Sequence, residues 1–297
     1  MSLNRFFAGL SVSFVKGCRW VPMFMREGLS AILGSICWLA LARRRRITLT
    51  NLRLCMPELS EKERAALGRS LFRRIARSLL DHGRLWSDSA EGIRDFVTVE
   101  GIEHLVDRKP GEAVIVVSPH FVGLDAAGIM LNTYVRGVSL YQTQSIPEWD
   151  KAFFDGRKRF SDPVLIAKSG NNDLRTVMKS MKEGLPFYYL PDMDHGEKNS
   201  LFLPFFGVNA ATLPMVSRLA RVTRAKVLWC IATMTDRGYH VIISEPWRDF
   251  PTKDPEADTR RLNRELEDWI RAYPDQYYWV HRRFKTRPEG EPSVYED

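Results

Sequence analysis

The chain has 297 residues, a formal net charge of +8 and a hydrophobic share of 44%. That length buries one large core with room for an appendage, and the ordinary hydrophobic share excludes a polytopic membrane protein. The basic balance suits an anionic partner: nucleic acid, an anionic bilayer or an acidic carrier protein.

Residues 1–46 differ from the rest. The stretch 6–25 is apolar but interrupted by Lys16 and Arg19, and residues 28–42 (GLSAILGSICWLALA) carry no charge before Arg43-Arg-Arg-Arg46. The uncharged run is shorter than the roughly 20 residues that span a bilayer unaided. No small-residue cleavage site follows it, which argues against a cleaved signal peptide. A tilted or partial membrane helix, an in-plane anchor and a buried core helix all fit. The arginine cluster favours the membrane, where it would lie among anionic head groups on the cytoplasmic side. The organisation expected is a membrane-anchoring segment, 1–46, and a second domain, 47–297.

Ser60 with Glu63 is a helix-start signal. Leu67, Leu71, Ile75 and Leu79 continue it as a structural helix to about residue 86. From residue 97 the pattern alternates. Strands are predicted at 113–117, 138–141, 187–190, 227–233 and 239–244, with helices near 124–134, 148–159, 173–183 and 211–223 between them, and a last helix over 258–272. The alternation predicts an α/β fold with a mixed, largely parallel sheet flanked by helices. The tail, 289–297, reads as frayed.

The chemistry is expected where strands end. The β-branched run 113–117 stops at Ser118-Pro119 and is followed by His120-Phe-Val-Gly-Leu-Asp125. On one helix, residues five apart point roughly 140° away from each other. The pair meets only if His120 lies in the loop and Asp125 in the first helical turn. The carboxylate would then hold one ring nitrogen and leave the other as a base. Against this, an acid in a first turn serves the helix dipole without any further role. A second strand end carries Pro191-Asp192-Met-Asp194-His195-Gly196, whose turn formers need no function. The spacing of Asp192, Asp194 and His195 is unspecific for a metal, and none is expected. The four cysteines (Cys18, Cys37, Cys55 and Cys230) form no Cys-x-x-Cys and read as reduced thiols. Phe205-Phe-Gly-Val-Asn-Ala-Ala-Thr212 shapes either an acyl pocket or a tight turn with core aromatics. Arg157 stands in a basic run after Gly156, placed to bind phosphate or carry transition-state charge. Gln276-Tyr-Tyr-Trp-Val-His281-Arg282-Arg283-Phe-Lys285 has the composition of a site that stacks on an amphipathic partner and grips phosphates.

Together His120-Phe-Val-Gly-Leu-Asp125, Gly156-Arg157, Pro191-Asp-Met-Asp-His-Gly196, Pro204-Phe-Phe-Gly-Val-Asn-Ala-Ala-Thr212 and the 276–285 segment resemble the late lauroyl/myristoyl-type acyltransferases of bacterial lipid A biosynthesis. The resemblance covers nearly the whole chain, including the apolar N-terminus and Asn51-Leu-Arg-Leu-Cys-Met-Pro-Glu-Leu59. It implies a glycerolipid-acyltransferase-like fold with an acyl groove. It also implies an acyl carrier protein thioester as donor, a lipid A precursor bearing phosphates, Kdo sugars and acyl chains as acceptor, and the cytoplasmic face of a Gram-negative inner membrane. His120 and Asp125 would be catalytic. Arg157, Asp192, Asp194, Arg282 and Arg283 would bind substrate or support the site, with no cofactor. Members often carry Glu where this chain has Asp125, which leaves the exact acceptor open.

Other readings are an acyltransferase for another glycolipid, phospholipid or amino-acid lipid, and a non-enzymatic basic membrane-binding module. A serine hydrolase would need a nucleophile elbow, and none surrounds Ser118. Nucleic-acid binding would explain the charge but neither the His–acid loop nor the apolar N-terminus.

Overall fold

A computed structural model describes residues 3–168 and 173–295. Three helices lead, α1 (Leu3–Gly17), α2 (Met23–Ala40) and α3 (Ala42–Cys55), followed by the long α4 (Glu61–Leu85). Ser60 and Glu63 cap α4 reciprocally, as the sequence predicts. After α5 (Ala90–Phe96) come β1 (Val97–Glu100), α6 (Glu103–Val106), β2 (Val114–Val117), α7 (Leu124–Leu131), β3 (Val138–Tyr141), α8 (Pro147–Arg157) and β4 (Val164–Ala167). The chain continues through α9 (Asp173–Lys182), β5 (Phe187–Tyr189), β6 (Leu201–Phe205), β7 (Val208–Thr212), α10 (Met215–Thr223), β8 (Lys226–Met234), β9 (Tyr239–Ile243) and α11 (Pro255–Ala272).

Seven strands form one sheet in the order β1-β9-β8-β2-β5-β3-β4. The fold is therefore the expected α/β arrangement with a mixed, largely parallel sheet. Only the β8–β9 hairpin is antiparallel within it. β2 is central: Val114–Val117 lies against Lys226–Trp229 on one side, and Ile115–Val117 against Phe187–Tyr189 on the other. All four β2 residues are buried, which is why the run has no alternation.

Sequence reading misses β1, β4 and the separate β6–β7 hairpin. Residues 211–212, assigned to the start of a helix, pair instead with Leu201 and Phe202. The tail is not frayed as far as residue 295. Tyr295 is buried, its hydroxyl donates to Asn51 Oδ1 at 2.6 Å, and it accepts from Phe284 N–H. Residues 296–297 lie outside the described ones.

The expected boundary after residue 46 falls inside α3. α1 and α2 lie on α4 with Val12, Val15 and Trp38 buried. Their other faces are bare: Phe7 and Phe14 on α1, and Phe24, Ile32, Ile36 and Leu39 on α2, are more than half exposed. A fully buried core helix is thereby excluded. α2 is long and apolar enough to cross a bilayer by length and composition. Two members of the arginine run have partners in the protein: Arg45 donates to the carbonyls of Trp38 and Leu39 at the end of α2, and Arg44 to that of Val280.

Candidate active site

His120 sits in the loop after β2, and Asp125 in the first turn of α7, the placement that the spacing requires. They do not pair as expected. The carboxylate on His120 is Asp192, in the loop after β5. The ring Nδ1–H donates to Asp192 Oδ1 at 2.7 Å and the backbone N–H to Oδ2 at 2.9 Å. Because a carboxylate only accepts, the proton lies on Nδ1 and Nε2 is left as the basic nitrogen. The partner is Asp192 because β2 and β5 are adjacent parallel strands, so their following loops emerge side by side. Asp192 is buried; burial alone would raise its pKa, but His120 holds it well below the usual carboxylate range, helped by His281.

Asp125 has different work. Its Oδ1 accepts from Arg157 Nε at 2.8 Å and lies 2.7 Å from a second guanidinium nitrogen, and its Oδ2 lies 3.3 Å from His82 Nε2. Burial opposes its ionisation. The Arg157 guanidinium and the His82 contact outweigh that and hold it far below the ordinary range. His82, on α4, was not expected at the site from sequence. Its Nδ1 meets the carbonyl of Ser78, one turn earlier, and its ring packs on Trp86 and Phe153. A His inside a helical pattern gives no sign that it reaches a residue 43 positions away. Arg157 ends α8, and that helix approaches α4 closely because Gly156 lacks a side chain: a Cβ there would lie 2.1 Å from the Trp86 ring.

A cavity of about 960 Å³ opens beside these groups, near the upper end of the roughly 300–1,000 Å³ of small-molecule sites. His120, Asp125 and Arg157 line it, as do apolar side chains including Leu131, Val135 and Leu165. Ser118 is buried, with Oγ 2.8 Å from the Tyr188 hydroxyl and 3.0 Å from the carbonyl of Cys230, and has no base beside it in these contacts.

Of the remaining expected residues, Asp194 and Arg283 hold neighbouring groups of the fold. Asp194 accepts from the N–H groups of Gly196 and Thr286 and from the Thr286 hydroxyl. Arg283 is buried, donating to the Ala211 carbonyl and to Thr212 Oγ1, and so pins the β6–β7 hairpin. Arg282 lies 5.5 Å from the centre of the Tyr295 ring. The 276–285 segment is not an exposed stacking surface: Tyr277, Trp279 and Phe284 are fully buried. It braces the loop that carries His120. Tyr278 N–H donates to the carbonyl of His120, and Val122 N–H to that of Gln276. Asn51 on α3 holds the carbonyls of Trp279 and His281. The thiols of Cys18, Cys37, Cys55 and Cys230 are free.

A His backed by a buried carboxylate lines a largely apolar cavity together with an arginine, an arrangement suited to an enzyme acting on an apolar substrate. Comparison with known proteins gives that class a family. The model of the bacterial lipid A biosynthesis acyltransferases matches residues 2–286, and the chain belongs to that family. It is 33% identical to the lipid A biosynthesis lauroyltransferase of Escherichia coli over 282 residues, covering 92% of this chain and 89% of that one. The E. coli palmitoleoyltransferase is 33% identical over 90% of this chain and 87% of its own length, and the myristoyltransferase 30% identical over 97% and 90%. A solved 1-acyl-sn-glycerophosphate acyltransferase from Thermotoga maritima superposes with a TM-score of 0.42 at 13% identity, covering 86% of this chain and 99% of that one. The protein is an acyltransferase of lipid A biosynthesis.

Proposed function

We propose that the enzyme moves a fatty acyl chain from an acyl carrier protein thioester to a hydroxyl of a Kdo2-lipid IVA-type precursor, at the cytoplasmic face of the inner membrane. The observation that carries this is the His120–Asp192 pair at an apolar cavity. An acceptor hydroxyl is a poor nucleophile until a base takes its proton. His120 Nε2 takes that proton as the oxygen attacks the thioester carbon, and Asp192 stabilises the imidazolium. The C–S bond then breaks, and the leaving thiolate recovers the proton from His120. Arg157, fixed by Asp125, supplies positive charge for the oxyanion or for an acceptor phosphate. The acyl chain lies in the apolar cavity. The formal charge of +8 suits an acidic carrier protein.

Membrane attachment rests on the bare apolar faces of α1 and α2. Because both helices lie on α4, the in-plane reading suits them better than a span.

The test is transfer by purified protein from acyl carrier thioesters to defined lipid A precursors, followed by mass spectrometry. The His120→Ala protein should fold and give no product above background. Normal turnover by that variant would end the proposed mechanism, and product on another lipid alone would reassign the acceptor.

A further inference from the structure

A second hollow, of about 350 Å³, shares no lining residue with the first cavity and lies where the turn between α1 and α2 meets the end of α4 and the β8–β9 turn. Its lining includes Arg19, Arg26, Arg84 and Arg237 beside Trp20, and no acidic residue. Gathering like charges costs free energy unless counter-charges are present, and here they fall short. Arg26 is matched by Asp81 at 2.6 Å, and Arg84 by Asp88 at 2.6 Å. Arg19 lies 3.6 Å from the same Asp88, while Arg77, which also reaches Asp81, has Glu27 as a second partner. Arg237 is exposed and makes no ion pair among the described residues. Two carboxylates thus face four lining guanidiniums. Arg26 is buried, yet its Nε has no hydrogen-bond partner among the described residues.

The surroundings say where the missing anion comes from. Trp20 is 78% exposed and has the Arg19 guanidinium 4.4 Å from its ring. Tryptophan is the side chain most at home at head-group depth. The two helices that the turn joins, α1 and α2, carry the bare apolar faces.

We infer that the hollow formed by Arg19, Arg26, Arg84 and Arg237 binds the phosphate of an anionic membrane phospholipid and so sets the depth and orientation at which α1 and α2 dock. Arginine suits this because its planar fork gives a phosphate two parallel hydrogen bonds. The inference rests on the membrane attachment proposed above and adds a headgroup preference to it.

The experiment is flotation of the full chain with vesicles of phosphatidylcholine alone or with a quarter phosphatidylglycerol, at fixed ionic strength. Wild type should float with both and prefer the anionic vesicles. Arg19→Gln with Arg237→Gln should weaken binding to the anionic vesicles roughly tenfold or more and leave binding to the neutral ones unchanged. A control, Arg248→Gln with Lys253→Gln, removes the same charge elsewhere and should keep the preference. Arg237→Gln alone, at an exposed turn, should show a smaller loss in the same direction with an unchanged melting temperature. Equal wild-type binding to the two vesicles overturns the headgroup site and leaves attachment standing. A preference that survives the double variant, or falls equally in the control, also overturns the site. Binding of inorganic phosphate by wild type, lost in the double variant, together with no preference for the anionic vesicles would make it a soluble-phosphate site and overturn the lipid assignment. Failure of wild type to float with either vesicle removes attachment and the site together.

Discussion

In the proposed mechanism His120 acts as a base through the nitrogen that Asp192 leaves free, so Asp192 and Asp125 are the residues to separate. Asp192→Asn leaves the geometry nearly isosteric but removes the charge that stabilises the imidazolium. Transfer should fall by roughly 10²- to 10⁴-fold, the range of a lost acid–base contribution. Asp125→Asn should behave differently, because Asp125 holds Arg157 and touches His82. It should resemble Arg157→Ala in its substrate dependence. Steady-state kinetics across pH for both variants check this. An Asp192→Asn enzyme of normal activity would return the role to Asp125. A third residue-scale consequence concerns His281, whose Nδ1 meets the carbonyl of Tyr278 while Nε2 is buried without a partner among the described residues. Burial pushes it down from 6.5 to about 4, with the Asp192 charge opposing only in part. Between those values the unfolded chain binds a proton that the folded chain does not. Stability from this residue is therefore intact above 6.5 and lost as pH falls toward 4, by about 3 kcal/mol in all. The melting temperature of wild type should drop more than that of His281→Gln across this window. Parallel curves would show that His281 does not titrate there.

At the scale of elements, α4 joins the N-terminal helices to the site. Asp81 pairs with Arg26 of α2 and accepts from the Tyr239 hydroxyl of β9, while the next residue, His82, reaches Asp125. Residues 1–46 are thus packed parts of the fold as well as an apolar surface. We expect two kinds of change to separate these roles. Deleting residues 1–46 removes Arg26, leaves Asp81 with a lost partner and uncovers α4. Breaking one side of such a buried pair costs about 3–5 kcal/mol, so the truncated protein should melt lower and transfer poorly. Ile32→Ser with Ile36→Ser, on the bare face, should instead move protein from membrane to soluble fractions with little change in melting temperature. A truncated protein as stable as wild type would make the segment a detachable anchor. The element scale also shows what sequence conveys. Strand β2 and the start of α7 were readable, since an unbroken β-branched run ending at Pro119 has few alternatives. β4 escaped because Val164-Leu-Ile-Ala167 is too short for periodicity to distinguish it from a loop. The 276–285 segment was misread because composition does not tell a buried aromatic brace from an exposed stacking surface.

In the whole molecule, the sheet order decides which residues meet. Sequence distance favoured Asp125 as the partner of His120. The parallel pairing of β2 with β5 brings Asp192 instead, across 72 positions, and no spacing rule carries that information. Candidate site residues were legible as residue types at strand ends, whereas their pairing is a property of topology. The same topology places α7 along the cavity below Asp125, and Gly128 lines it. A Cβ at Gly128 would meet nothing within 4 Å. A larger side chain there therefore projects into open space and costs the fold little; glycine inside a helix is itself unfavourable by about 1 kcal/mol against alanine. If the acyl chain occupies this cavity, Gly128→Leu shortens the room for it. Activity with the longest accepted donor should fall about tenfold relative to a donor several carbons shorter, while the melting temperature holds or rises. Competition between two acyl carrier thioesters of different length in one reaction measures the ratio directly. An unchanged ratio in a folded Gly128→Leu enzyme would mean that the acyl chain lies elsewhere, and the cavity would then have to be assigned to the acceptor.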